Sequence, residues 1–294
     1  MSFIDFARAH GVEIDPSKLY PSDSIKRTGT VAKPKSGNGA YLWDGQRGWV
    51  MDWSGEAKAI WYEDPHAKPW TEEQKRQWFE KRRAQQSDQQ KQYDVVAQRA
   101  EDILKISKVE SHPYLEFKGF KDIQGFVYKN SLLIPMRNVK TNKLQGYQEI
   151  YFVPEEMKYE KKMLYGMRAK NAVYWLGTEK NDDIWFVEGY ATGLSVHQAM
   201  RSCGMKGSVV VCFSASNLLN VIDQVQGKKY VFADNDKSGT GQSIASSTGM
   251  PWTMADEEGW DANDLHKNRG IISVVKKIML CKAKHLTTQI NKEV

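Results

Sequence analysis

The sequence predicts an α/β protein: a parallel sheet with flanking helices over residues 181–275, preceded by a basic antiparallel α+β segment and a small aromatic-rich β domain. Three observations predict it. Residues 181–275 alternate short β-branched or aromatic runs with amphipathic stretches, the order that builds parallel sheets. Two of those runs, Ile184–Val187 and Tyr230–Ala233, end abruptly in acid at Glu188 and Asp234, as buried strands do where they leave a sheet. Near the N-terminus, Asp44-Gly45 is a turn dipeptide set between aromatic and aliphatic runs.

Taken in order, residues 2–10 fit a short helix with Phe3, Ile4, Phe6 and Ala7 on one face. Ser17 to Gly39 is rich in Pro, Ser, Lys and Gly and reads as loop. Ala40 to Trp53 reads as a hairpin, and Ala59–Tyr62 as a further strand, closing a domain over 1–70. Six of the ten tryptophans precede residue 80. Trp43, Trp49 and Trp53 either fill the core of this domain or stack single-stranded bases, each worth ~1–3 kcal/mol.

Residues 71–108 read as a charged, Gln-rich linking helix. Thr71 with Gln74 is a capping-box pattern. The first half has little apolar face; Tyr93, Val96, Ala97, Ala100, Ile103 and Leu104 give the second half a docking stripe. In 109–180, Pro113 can open a short helix, with His112 capping, packing or touching nucleic acid. Strands follow at 131–137, 144–153, 162–165 and 172–176, the first two joined through Asn142-Lys143. This sheet carries Arg137, Lys161, Lys162, Arg168 and Lys170. Within 181–275, strands are expected at 184–188, 208–213, 229–234 and near 250–255. Helices are expected at 191–203, 216–225, 240–248 and 270–281, and residues 276–294 read as C-terminal helix and tail. Gly189 and Gly193 beside one helix start, Asn217 beside another and Gly239-Thr-Gly241 beside a third could offer backbone N–H groups to a phosphate.

Net charge is +6. Residues 71–180 hold 21 Lys/Arg against 15 Asp/Glu, while the flanking segments balance. A basic segment before an acidic cluster suits a nucleic-acid enzyme; a solvated charged helix is the other reading of 71–108. Cys203, Cys212 and Cys281 are too scattered for a disulfide framework, and with no Cys-x-x-Cys a zinc site is not expected. No apolar run approaches 18 residues, so no membrane partner is expected, and a cytoplasmic setting in a bacterial host is. Without a Gly-x-x-x-x-Gly-Lys-Ser/Thr motif, no internal ATP-driven motor is expected.

The acids carry the chemistry. In extended chain, Asp234 and Asp236 point to one side. Two carboxylates ~4 Å apart repel by about 4 kcal/mol at an effective dielectric of ~20. A divalent cation removes that penalty, and Glu188 at a second strand end strengthens this reading over a solvated acidic turn.

Glu188-Gly-Tyr-Ala-Thr-Gly-Leu-Ser, Ala233-Asp-Asn-Asp236 and Trp260-Asp-Ala-Asn-Asp264-Leu resemble the Toprim domain, and most closely the primase-like Toprim proteins of phages and plasmids. The resemblance extends through His112-Pro-Tyr-Leu-Glu-Phe-Lys-Gly119 and Leu132–Arg137, covers roughly 110–275, and reaches the first hundred residues only loosely. It implies a Rossmann-like Toprim catalytic domain over 181–275 and a primase-specific subdomain over 109–180. It implies Glu188, Asp234, Asp236 and Asp264 as catalytic residues holding Mg²⁺ or Mn²⁺, with Asp261 where the family varies. Arg137, Lys161, Lys162, Arg168 and Lys170 would bind template and incoming nucleotide. The implied activity is primer synthesis on single-stranded DNA from nucleoside triphosphates, with a replicative helicase as a candidate partner. A Toprim nuclease, or a non-catalytic accessory protein binding single-stranded DNA or a helicase, are the rival readings.

Overall fold

A five-stranded antiparallel sheet and a ten-stranded mixed sheet organise two units, residues 1–83 and 84–294. The computed structural model describes residues 1–54, 58–67, 69–177 and 183–293, with side chains to residue 284. The expected boundary at 180/181 lies outside the described residues.

In the first unit, α1 (Phe3–Ala9) packs on a sheet in the order β1 (Val12–Glu13), β2 (Ser22–Thr30), β3 (Gly39–Trp43), β4 (Arg47–Asp52) and β5 (Ile60–Glu63). Ser2 caps α1 through a reciprocal capping box with Asp5. The β3–β4 turn is the expected one: the Asp44 carboxylate accepts from Gln46 N at 2.8 Å and Gly45 takes φ +106°. Phe3, Ala7, Val12, Ile14, Tyr41, Val50 and Tyr62 form the core. The expected loop over Ser17–Gly39 is corrected, because Ser22–Thr30 is a nine-residue strand. Its outward residues are polar, so ladder pairing to β3 makes the strand while no apolar alternation announces it.

Helix α2 (Glu72–Ile106) begins with the Thr71–Gln74 capping box, Thr71 N to Gln74 Oε1 3.0 Å and Gln74 N to Thr71 Oγ1 3.2 Å. Ala100 and Leu104 are its buried residues, packed with Leu133 and Tyr147. The docking stripe therefore lies in the second half, as its spacing requires.

The second unit continues with β6 (Lys108–Glu110), α3 (Pro113–Phe117), β7 (Gly125–Tyr128), β8 (Ser131–Asn138), β9 (Leu144–Val153), β10 (Lys158–Met163) and β11 (Ala172–Leu176). Then come β12 (Asp183–Val187), α4 (Tyr190–Ser202), β13 (Ser208–Val211), α5 (Ala215–Ile222), β14 (Lys228–Ala233), α6 (Thr240–Ser247), β15 (Trp252–Met254), α7 (Ala262–Arg269) and α8 (Ile271–Glu293). The main path of the sheet runs β10-β9-β8-β11-β13-β12-β14-β15, with β6 and β7 beyond β8. Strands β13, β12, β14 and β15 are parallel. β11 pairs antiparallel with both β8 and β13, so the basic and acidic segments share one sheet. Helix α7, strand β6 and strand β7 were not among the expected elements.

Strand β12 is buried along its whole length. Trp185 and Val187 join the core under α4, α7 and α8, while Ile184 and Phe186 join the core under α5 and α6. Tyr230 and Phe232 of β14 divide from Val231 and Ala233 in the same way. This period of two, with both faces apolar, is what a covered parallel sheet demands. Lys282 of α8 pairs with the buried Asp183 at the start of β12. No helix among the described residues is long and apolar enough to cross a membrane.

Candidate functional site

The register of the parallel strands sets the acids. β12 and β14 are neighbours, with Phe186 level with Val231, so their carboxyl ends open side by side. Glu188 follows β12 directly and Asp234 follows β14. Open α/β sheets collect ligands at such ends.

Asp234 is the most perturbed of these groups. Its Oδ1 is sealed from solvent without a hydrogen-bond partner. Burial first, then the charges of Asp261, Glu188 and Asp236, push its pKa up to about 8, against the pull of Lys161. Glu188 is half-buried, and burial and the Asp236 charge raise its pKa while Lys161 lowers it.

Asp236 is a different case. Its Oδ1 accepts from Ser238 N at 2.9 Å, from Thr240 N at 3.2 Å and from the Ser238 hydroxyl; its Oδ2 accepts from Gly241 N at 2.8 Å. These bonds hold its carboxyl below the usual range. Gly239 at φ +69° turns the loop, and a side chain at Gly241 would drive into the Asp234 carbonyl. Of the Gly239-Thr-Gly241 N–H groups that sequence offers to a phosphate, those of Thr240 and Gly241 thus hold the Asp236 carboxylate, and that of Gly239 donates to Asp236 O at 3.0 Å.

Asp264 and Asp261 form a capping box at the start of α7: Asp264 N donates to Asp261 Oδ1 at 2.8 Å, and Asp261 N to Asp264 Oδ2 at 3.2 Å. Asp261 Oδ2 also accepts from Thr192 Oγ1 at 3.0 Å. The charge from this pair that reaches Asp234 is that of Asp261. Both carboxylates serve the α7 cap.

Lys161 faces the acids from β10. Although the residue as a whole is exposed, neighbouring atoms crowd its ammonium. Burial and the Lys118 charge lower its pKa, while Asp261, Asp234 and Glu188 raise it. Lys162 points to the opposite face, as adjacent strand residues must, where it pairs with Glu160 at 3.1 Å and lies over the Tyr151 ring.

The remaining sequence candidates have other partners. Arg137 Nη1 donates to Asn142 O at 3.1 Å, bracing the β8–β9 turn. Arg168 and Lys170 are exposed, and their carbonyls accept from Gln145 Nε2. Gly189 is the N-cap residue of α4. Gly193 lies inside α4, where a Cβ would stand 2.7 Å from Val211 Cγ2, so glycine here serves close helix–sheet packing. Asn217 is buried; its Nδ2 donates to Ala172 O and Cys212 O at 2.8 and 2.9 Å, and its Oδ1 accepts from Asn171 N at 2.8 Å. Both side-chain amide donors are thus committed to the chain at Ala172 and Cys212, and the Asn217 backbone N–H donates to Ser214 Oγ at 3.2 Å. Trp43 stacks on Phe3 at 4.4 Å within the first unit's core. Trp49 pairs across strands with Trp61, which is 64% exposed. Trp53 is 51% exposed beneath the Arg27 guanidinium.

Two residues near the cluster had no site role assigned from sequence. The Tyr114 hydroxyl is buried without a partner, and its pKa is raised by burial and by Asp261. Lys118 sits close enough to repel Lys161. Both belong to the His112–Gly119 motif, where His112 caps α3 by accepting from Tyr114 N at 3.1 Å.

The donor set bears on a divalent cation. Among the described residues, no three His, Cys, Asp or Glu side chains form a ready-made chelate. Mg²⁺ does not need one, since it commonly binds through one or two carboxylates plus waters and substrate phosphates. A buried carboxylate with an unpartnered oxygen, destabilised by three other acids, fits that mode.

No protein-family model matches the sequence, and no curated protein matches it. Among solved structures, the chain is similar to one described as the structure of the DnaG catalytic core, at 12% identity and a TM-score of 0.35. The match covers 57% of this chain and 58% of that one, less than two thirds of its length.

Proposed function

We propose that this chain is a primase-type nucleotidyltransferase that joins nucleoside triphosphates on single-stranded DNA, in phage or plasmid replication, at the cluster of Glu188, Asp234, Asp236 and Asp261. The observation that carries the reading is Asp234, whose buried, unpartnered oxygen lies in the field of three other acids and opposite Lys161. Glu188 and Asp234 would hold Mg²⁺ or Mn²⁺. A cation bound there would lower the pKa of a primer 3′-hydroxyl and neutralise the departing pyrophosphate. Lys161 would bind the triphosphate, which offsets its repulsion by Lys118. Glu188, raised by burial, would ligate or take the proton of the attacking hydroxyl. The exposed Trp53 would contact template, and a replicative helicase is the proposed partner.

The rival readings are a nuclease and a non-catalytic protein that binds single-stranded DNA or a helicase. Incubation with single-stranded DNA, labelled nucleotides and Mn²⁺ separates the readings. New short oligonucleotides, lost in Asp234→Asn, support the primase. A shortened template indicates a nuclease, and DNA binding with neither product indicates the accessory protein.

A further inference from the structure

Tyr159 on β10 is the hub of an aromatic cluster beside the acids. Its ring centre lies 5.2 Å from Tyr114, 5.7 Å from Phe117 and 5.2 Å from Phe152. Two of these rings face solvent: Phe117 is 57% exposed and Phe152 is 42% exposed. A single exposed phenylalanine needs no explanation. Phe117, however, is bracketed by ammonium groups from two separate elements. Lys267 Nζ of α7 stands 4.5 Å from its ring centre, and Lys118 Nζ stands 5.9 Å away.

The arrangement is built, because Asn263 of α7, fully buried, donates from Nδ2 to Lys118 O at 2.8 Å. Gly119 at φ +90° turns the chain so that its Cα faces the Lys267 stem. Lys161 continues the line, 6.0 Å from the Tyr114 ring and within reach of the charges on Asp261, Asp234 and Glu188. Among the described residues, Lys118, Lys161 and Lys267 are held in no ion pair. Glu116 is the carboxylate whose charge reaches Tyr159. Exposed rings interleaved with unpaired lysines match the chemistry of single strands, whose bases stack on aromatics while phosphates meet cations.

We propose that Phe117, Tyr159 and Phe152 form a base-stacking platform and that Lys118 and Lys267 track the phosphates, together leading single-stranded nucleic acid to the acidic cluster. The direction of the strand rests on the nucleotidyltransferase reading; the binding itself rests on these rings and lysines alone.

The test is fluorescence anisotropy on the full chain without divalent ions, using a labelled 12-nucleotide oligothymidylate and a duplex of equal length. Phe117→Leu is expected to weaken single-strand binding about tenfold, with duplex binding unchanged and Phe117→Trp restoring it. Lys118→Gln with Lys267→Gln should lower the salt dependence of single-strand binding by about 0.7 for each phosphate no longer neutralised. Thermal melts check that each variant stays folded. Wild-type single-strand affinity in both Phe117→Leu and Phe152→Leu overturns the proposal. So does an equal loss on duplex, full competition by heparin with no preference for bases, or no binding by the wild type. Platform-dependent binding without primer synthesis leaves this proposal standing and removes the nucleotidyltransferase reading; primer synthesis with an inert platform does the reverse.

Discussion

Lys161 and Asp234 act on each other across the mouth of the sheet. The ammonium pulls the Asp234 pKa down against burial and three acids, and the carboxylate pulls the Lys161 pKa up against burial and Lys118. Lys161→Gln removes one side of this pair. The expected result is a further rise in the Asp234 pKa and a drop of roughly 10–100-fold in kcat/KM for the incoming nucleotide, about 1.4–2.7 kcal/mol. The pH–rate profile should move alkaline, which loss of mere packing would not produce.

Asp234→Asn should stabilise the protein in the absence of divalent ions. The folded pKa is raised from its ordinary 3.8 to about 8. Between those values the folded state holds a proton that the unfolded state releases, so stability present at low pH is lost as pH rises through that window. Asparagine removes this dependence. At pH 8.5 the variant should exceed the wild type by roughly 1–3 kcal/mol in urea titrations, and the difference should vanish near pH 4.

Divalent cations should reverse that order. Mn²⁺ or Mg²⁺ at about 100 times its dissociation constant should raise wild-type stability by about 2.7 kcal/mol and leave Asp234→Asn nearly unmoved. Thermal melts at pH 8 with and without metal check this, and an equal shift in both proteins would count against the site.

Asn217→Ala should destabilise by roughly 3 kcal/mol or more, since it strands Ala172 O, Cys212 O and Asn171 N in a buried place. Were Asn217 a phosphate ligand, the cost would appear in nucleotide affinity instead. Gly193→Ala should cost roughly 1–3 kcal/mol through overpacking against Val211.

The parallel strands were legible because β12 and β14 are apolar on both faces and end in acid. Strand β2 was not, because Ser22–Thr30 shows mostly polar side chains and is made a strand by its neighbours. A capping box and an acidic motif look alike in sequence; Asp261 and Asp264 both belong to the α7 cap, and only the fold shows the Asp261 charge acting on Asp234. Sequence grouped Lys161 with Lys162, and only the sheet shows that the two face opposite ways and which one meets the acids. Gly193 and Asn217 take their meaning from partners far along the chain, Val211 and Ala172 among them. Phe117 was visible in the His112–Gly119 motif, yet nothing local foretold the Lys267 ammonium above it.

Electron paramagnetic resonance of Mn²⁺, titrated into the protein with a nonhydrolysable nucleoside triphosphate, tests whether these acids grip a cation together with a triphosphate. The expected result is one or two bound Mn²⁺ in the wild type and at least tenfold weaker binding in Asp234→Asn, about 1.4 kcal/mol or more. Equal Mn²⁺ binding by the two proteins would contradict it.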